Sequence, residues 1–150
     1  MARILIADDD ADIRQLLIYA LAEDGHAISV AKDGGEAIEA VAGERPDLLI
    51  LDVMMPGKDG YVVMEELNER GMRDATKVLM LTAKISERDW QRGFEVGADR
   101  YMTKPFDSDE LLECVRELLT SDNKDLAEQR EQEYERARLL SQLETIFGPE

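Results

Sequence analysis

The chain has 150 residues with 34 acidic against 18 basic side chains, a net charge of −16, which argues against direct nucleic-acid binding and against attraction to anionic lipid. Its single cysteine, Cys114, excludes an internal disulfide, and no apolar run approaches the about 20 residues of a membrane span. The N-terminus lacks the residue order of a signal peptide, so the expectation is a soluble cytoplasmic protein with one main domain.

The first predicted element is a strand near 3–7, where Ile4, Leu5, Ile6 and Ala7 run into Asp8, Asp9 and Asp10. A helix near 11–24 follows, with Ile13, Leu16, Leu17, Ala20 and Leu21 at helical spacing, Asp10 as its cap and Gly25 at its end. A strand near 27–31 and a helix near 34–43 lead to the apolar strand Leu48-Leu49-Ile50-Leu51, which ends on Asp52. Met55-Pro56-Gly57 marks a loop before a helix near 60–70. The strand near 76–81 stops at Thr82 and precedes a helix near 86–96. A short strand near 99–103 then reaches Lys104-Pro105, and a helix near 107–119 completes the set.

Strict alternation of strands and helices implies an α/β fold with a doubly wound five-stranded parallel sheet, because right-handed crossovers place helices on both faces. Residues 1–120 form this expected domain. Residues 121–150 stand outside the alternation and carry eight acids and four bases. They read as an additional C-terminal helix, with Ser121 or Asp122 as cap, an apolar stripe of Leu139, Leu140, Leu143, Ile146 and Phe147, and a stop at Gly148-Pro149.

In a parallel sheet all strand ends share one edge, and open α/β folds bind ligands there, where the strand order reverses. A strand order of 2-1-3-4-5 sets the first and third strands side by side and brings Asp8 and Asp9 to Asp52. Like charges about 4 Å apart repel by roughly 4 kcal/mol at an effective dielectric of 20, so the cluster either raises a pKa or recruits a cation. Oxygen-only ligands with room for water favour Mg²⁺. Helix capping alone would account for Asp8-Asp9-Asp10, but not for Asp52, which precedes the apolar Val53-Met54-Met55. Lys104 offers an ammonium and Thr82 a hydroxyl to the same edge, a set suited to a transferred phosphoryl group.

The strings ILIADDD, LLILDVMMPGKDG, VLMLTA and GADRYMTKPF resemble the receiver domain of two-component response regulators over about residues 2–120. The resemblance implies a flavodoxin-like, CheY-like fold and a phosphorelay role. Asp52 would be the residue phosphorylated by a histidine kinase or phosphotransfer protein. Asp9, Asp52 and the backbone carbonyl of Met54 would ligate Mg²⁺, with Asp8 assisting partly through water, and no organic cofactor is implied. Lys104 would pair with the phosphoryl oxygens, Thr82 and Tyr101 would form the switch pair, and Lys104-Pro105 would be cis. The domain would catalyse its own modification and its own reset, and Met54 and Lys84 would stand at the site's edge.

Tyr101 is expected to turn from exposed to buried on phosphorylation, remodelling the face made by the helix near 86–96, the last strand and the last core helix. That change would be read by a downstream protein or output domain, or by a second copy through this face or the C-terminal helix. Arg100 and Cys114 stand where one dimerising subgroup has an acid and an arginine, a departure from its salt-bridge pattern. The alternative function is an Mg²⁺-dependent phosphohydrolase of the aspartyl-phosphate kind. That class usually has an acid two residues beyond its nucleophile, where this chain has Met54. His26 reads as a strand-start or surface residue, Trp90 as a partner contact, and Cys114 as a small packed residue.

Overall fold

The computed structural model describes residues 2–83, 91–92, 95–121, 128, 131–132, 134–136, 138–140 and 142–143. The elements are β1 (Arg3–Ala7), α1 (Ala11–Ala22), β2 (Ala27–Ala31), α2 (Gly34–Glu44), β3 (Leu48–Asp52), α3 (Gly60–Glu69), β4 (Lys77–Thr82), β5 (Arg100–Thr103) and α4 (Ser108–Thr120). Gln91, Arg92 and Glu95 are helical, while most of the helix expected near 86–96, with Lys84 and Trp90, lies outside the described residues. The described residues from 128 to 143 are helical as well, whereas Asp122, Ile146, Phe147 and the Gly148-Pro149 stop fall outside them.

The five strands form one parallel sheet in the order β2-β1-β3-β4-β5, the doubly wound topology that alternation implied. Strand periodicity decides which layer each side chain enters. Leu5, Ala7, Leu49, Leu51, Val78 and Met80 pack with α2 and α3 on one face. Ile4, Ile6, Leu48, Ile50, Leu79 and Leu81 pack with Leu17 and Leu21 of α1 and with Leu111, Val115 and Leu118 of α4 on the other. All five residues of β3 are buried, as the central strand of a two-sided sheet must be.

Caps fix the helix starts next to the strand ends. Asp10 Oδ1 accepts from the Asp12 and Ile13 amides at 2.8 and 3.4 Å, and Asp59 Oδ1 accepts from the Val62 amide at 2.9 Å. Gly25 takes a φ of 73° just past α1, a conformation that glycine adopts without Cβ strain. Gly60 has a different reason to be glycine. A Cβ there would meet the Asp52 carbonyl oxygen at 2.7 Å and Val53 Cα at 2.8 Å, so the absent side chain lets α3 start directly on the end of β3.

Two ion pairs brace the frame away from the ligand edge. Arg116 donates to both carboxylate oxygens of Asp24 at 2.9 and 3.0 Å, tying α4 to the end of α1. Buried Asp99 accepts from the Val78 amide at 2.7 Å and from Arg73 Nη2 at 3.1 Å, just ahead of β5. Among the described residues no helix is long and apolar enough to cross a membrane.

Candidate functional site

Four chain segments converge at the carboxyl edge of the sheet. β1 runs out into Asp8 and Asp9, β3 ends on Asp52, β4 ends on Thr82, and β5 leads into Lys104. Register makes this convergence unavoidable: Ala7 pairs with Leu51 and Asp52 with Leu81, so the acids that follow β1 and end β3 share one rim. Asp8, Asp52 and Thr82 are buried, while Asp9 is exposed at the mouth.

Each side chain is held by the backbone around it. Asp8 Oδ1 accepts from the Asp10 amide at 2.9 Å, and its Oδ2 accepts from Lys104 Nζ at 2.8 Å. Asp52 Oδ1 accepts from the Met54 amide at 3.2 Å and lies 3.4 Å from Lys104 Nζ. The Lys104 amide donates to the Thr82 carbonyl at 2.7 Å, extending the β4–β5 ladder beyond β5. That bond aims the lysine back over the edge, and the Lys104–Pro105 peptide that follows is cis.

Electrostatics single out Asp52. Burial, and next the charge of Asp8, push its carboxyl from 3.8 up to about 6, against the pull of Lys104 and the Met54 amide. Burial alone would lower the Lys104 ammonium, but its hydrogen bond to Asp8 and the charge of Asp52 carry it above its ordinary value. The lysine therefore stays charged near neutral pH.

The donor set suits a hard cation. Asp8, Asp9 and Asp52 each offer a carboxylate oxygen, and these oxygens lie within 4.8 Å of one another. An all-oxygen set of this kind could hold a metal ion. The Lys104 ammonium supplies positive charge at the same rim.

Residues 4–116 match the sequence family described as the response regulator receiver domain. The chain belongs to that family. Response regulator MprA of Mycobacterium tuberculosis strain H37Rv is 44% identical to it over 117 residues, 78% of this chain and 50% of that protein. The chain thus spans about half the length of the curated relatives it matches. Among solved structures, the receiver domain of Francisella response regulator 1452 aligns with a TM-score of 0.74 and 34% identity, covering 79% of this chain and 97% of that one. The BeF3-activated N-terminal receiver domain of Klebsiella pneumoniae RstA aligns with a TM-score of 0.72 and 31% identity, covering 79% and 99%.

Within this receiver, the acids and the lysine expected from the sequence stand together on one rim. Tyr101 faces inward, 7% exposed, the buried one of the two positions expected of it. Met54 is 69% exposed at the site's edge. His26 lies at the other end of the sheet, where its Nδ1 accepts from the Ala2 amide at 3.2 Å. Arg100 pairs within the chain, 3.4 Å from Glu117 of α4, and half-buried Cys114 packs against the α1–α4 core layer.

Two contributors escaped the sequence reading. Arg14 Nη1 donates to the Asp8 carbonyl at 2.8 Å. Its position four residues after the cap Asp10, one helical turn on, was the available signal. Tyr61 hydrogen-bonds Tyr101, hydroxyl to hydroxyl at 2.6 Å, across a separation that no local pattern encodes.

Proposed function

We propose that this receiver accepts a phosphoryl group on Asp52 from a phosphohistidine of a histidine kinase or phosphotransfer protein, and that the modification changes its partner binding or assembly. The observation that carries this reading is the placement of Asp52: a buried carboxylate, 3.4 Å from the Lys104 ammonium and within the carboxylate cluster of Asp8 and Asp9. In the transfer, an Asp52 carboxylate oxygen forms the new O–P bond while the N–P bond of the donor breaks and its imidazole leaves. With its carboxyl held near 6, Asp52 is mostly ionised at neutral pH and can act as the nucleophile.

Asp9, Asp52 and the Met54 carbonyl would hold Mg²⁺, with Asp8 assisting. The bound ion would neutralise charge shared by the acceptor and the incoming phosphoryl oxygens. Lys104 reaches the same oxygens from β5, and the Thr82 hydroxyl at the end of β4 supplies a neutral donor. Readout runs through Tyr101, buried on β5 beside β4, the strand that ends on Thr82. The same pocket supports hydrolysis of the acyl phosphate, with exposed Met54 at the water entrance.

Incubation with Mg²⁺ and a small phosphodonor such as acetyl phosphate should add one phosphoryl group, mapped by mass to Asp52 and absent from Asp52→Asn. Turnover of phosphomonoesters with no adduct on the chain would overturn this reading in favour of a hydrolase.

We further propose that residues 1–120 are the receiver unit and residues 121–150 a helical extension. Tyr134 packs against the core layer of α2 and α3, while Leu139, Leu140 and Leu143 remain exposed at 53%, 38% and 49%, a stripe suited to a second copy. Truncation after Thr120 should keep phosphorylation and lower self-association, as read by sedimentation.

A further inference from the structure

The acceptor end of β3 is connected to Tyr101 by a continuous set of contacts that the receiver reading does not itself require. The Gly60 amide donates to the Val53 carbonyl at 2.9 Å, and the close approach at Gly60 sets α3 on the backbone of Asp52 and Val53. Tyr61, the next residue, is 4% exposed and therefore enters the core at a position fixed by the acceptor strand. Its hydroxyl meets that of Tyr101 at 2.6 Å. The Arg92 guanidinium lies over the Tyr61 ring, 4.3 Å from its centroid, where the negative ring face attracts a cation. Tyr101 itself pairs with Met80 of β4 and stands three residues before Lys104, which returns to Asp8 and Asp52.

We propose that Tyr61 is a positioning residue that holds the switch aromatic Tyr101 in its inward place through their hydroxyl pair, with Arg92 clamping the Tyr61 ring, so that loss of the pair shifts Tyr101 toward its outward place. The inference rests on Tyr101 being the switch residue, as the proposed function has it. A hydrogen bond made in one rotamer and lost in the other shifts a two-state equilibrium by its net strength. For a neutral hydroxyl pair that is about fivefold. Ligand binding need then supply only the remainder of the population shift. The Arg92 contact extends the bias to the helical segment that follows β4, which belongs to the face expected to meet partners.

The test is NMR of the tyrosine rings in the full chain, with the Tyr101 signals identified by Tyr101→Phe and with Mg²⁺ plus fluoroberyllate as the acyl-phosphate mimic. In the parent chain Tyr101 should report a buried ring with and without the mimic. In Tyr61→Phe the solvent-exposed Tyr101 population should rise about fivefold without the mimic and return to the parent position when it is added. That rescue separates positioning from a general loss of packing, which the mimic would not reverse. Arg92→Gln keeps the Tyr61 hydroxyl and should move the same signals in the same direction by less, which also serves if Tyr61→Phe folds poorly. Tyr101 signals unchanged in both variants would overturn the proposal. Asp52 labelling by acetyl phosphate on the same samples reports separately on the phosphoacceptor reading, since the Tyr101 position of the resting chain is measured without labelling.

Discussion

Lys104 Nζ stands 2.8 Å from Asp8 Oδ2 but 3.4 Å from Asp52 Oδ1, so the ammonium is engaged more closely with a candidate metal ligand than with the candidate acceptor. The same charge that would assist phosphoryl transfer therefore opposes cation entry. Removing it should strengthen metal binding and weaken chemistry at once. Lys104→Met is expected to bind Mg²⁺ about tenfold more tightly, since one unit charge a few ångströms away is worth on the order of 1 to 4 kcal/mol between water and a half-buried site. Asp52 labelling should fall by at least about tenfold, the loss of one positioned cation. Calorimetric titration with Mg²⁺ and a labelling time course check the two halves; an unchanged or weaker Mg²⁺ affinity would refute the competition.

The elevated carboxyl of Asp52 makes a stability prediction with a definite sign. Its folded value of about 6 exceeds the ordinary 3.8, so the fold favours the protonated form. Stability is lost as pH rises between those two values, and the full cost, on the order of 3 kcal/mol, applies above about 6. Asp52→Asn should therefore melt about 5 °C or more above the parent at pH 7.5 without divalent ions. The two curves should meet below about pH 3, where the parent carboxyl is protonated in both the folded and unfolded states. A variant no more stable than the parent at pH 7.5 would contradict the raised value.

Asp99 should prove structural. It is 2% exposed and takes hydrogen bonds from the Val78 amide and Arg73. Asp99→Ala strips a half-buried guanidinium of its carboxylate, which costs about 3 kcal/mol or more. Asp99→Asn keeps an acceptor for Val78 and should cost less. Urea unfolding monitored by circular dichroism measures both, and a loss in Asp99→Ala below about 1 kcal/mol would show that the pair contributes little.

Two glycines should respond in opposite directions. At Gly60 an added Cβ would meet the backbone of Asp52 and Val53 at 2.7 and 2.8 Å. Gly60→Ala should cost about 1 to 3 kcal/mol and slow Asp52 labelling by shifting the end of β3. At Gly43, inside α2, a Cβ has no neighbour within 4 Å. Gly43→Ala should add about 0.5 kcal/mol through the lower entropy of its unfolded chain. Equal effects at the two positions, in thermal melts, would mean that contact at Gly60 does not limit α3.

Much of this architecture is written locally. Apolar runs such as Leu48-Leu49-Ile50-Leu51 mark buried strands, and helical spacing in α1, with Asp10 ahead of it, marks a capped helix. Alternation of such elements leaves few topologies, because crossover handedness is fixed. Side-chain alternation then sends Leu49 and Ile50 to opposite layers. Asp52 could be singled out because no helix start follows it, and Lys104 because it ends a strand. The sequence alone thus determined the sheet, its edge and the acids and amine that meet there.

Only the folded chain decided how those groups share charge and which distant side chain meets Tyr101. That Lys104 sits nearer Asp8 than Asp52 depends on tenths of an ångström set by the β4–β5 ladder. That the Tyr101 hydroxyl meets that of Tyr61, forty residues away, depends on α3 starting directly on the end of β3. Periodicity and capping are short-range properties of a chain. Partnerships between distant side chains exist only after strand register and helix packing have closed the distance, so no local pattern announces them.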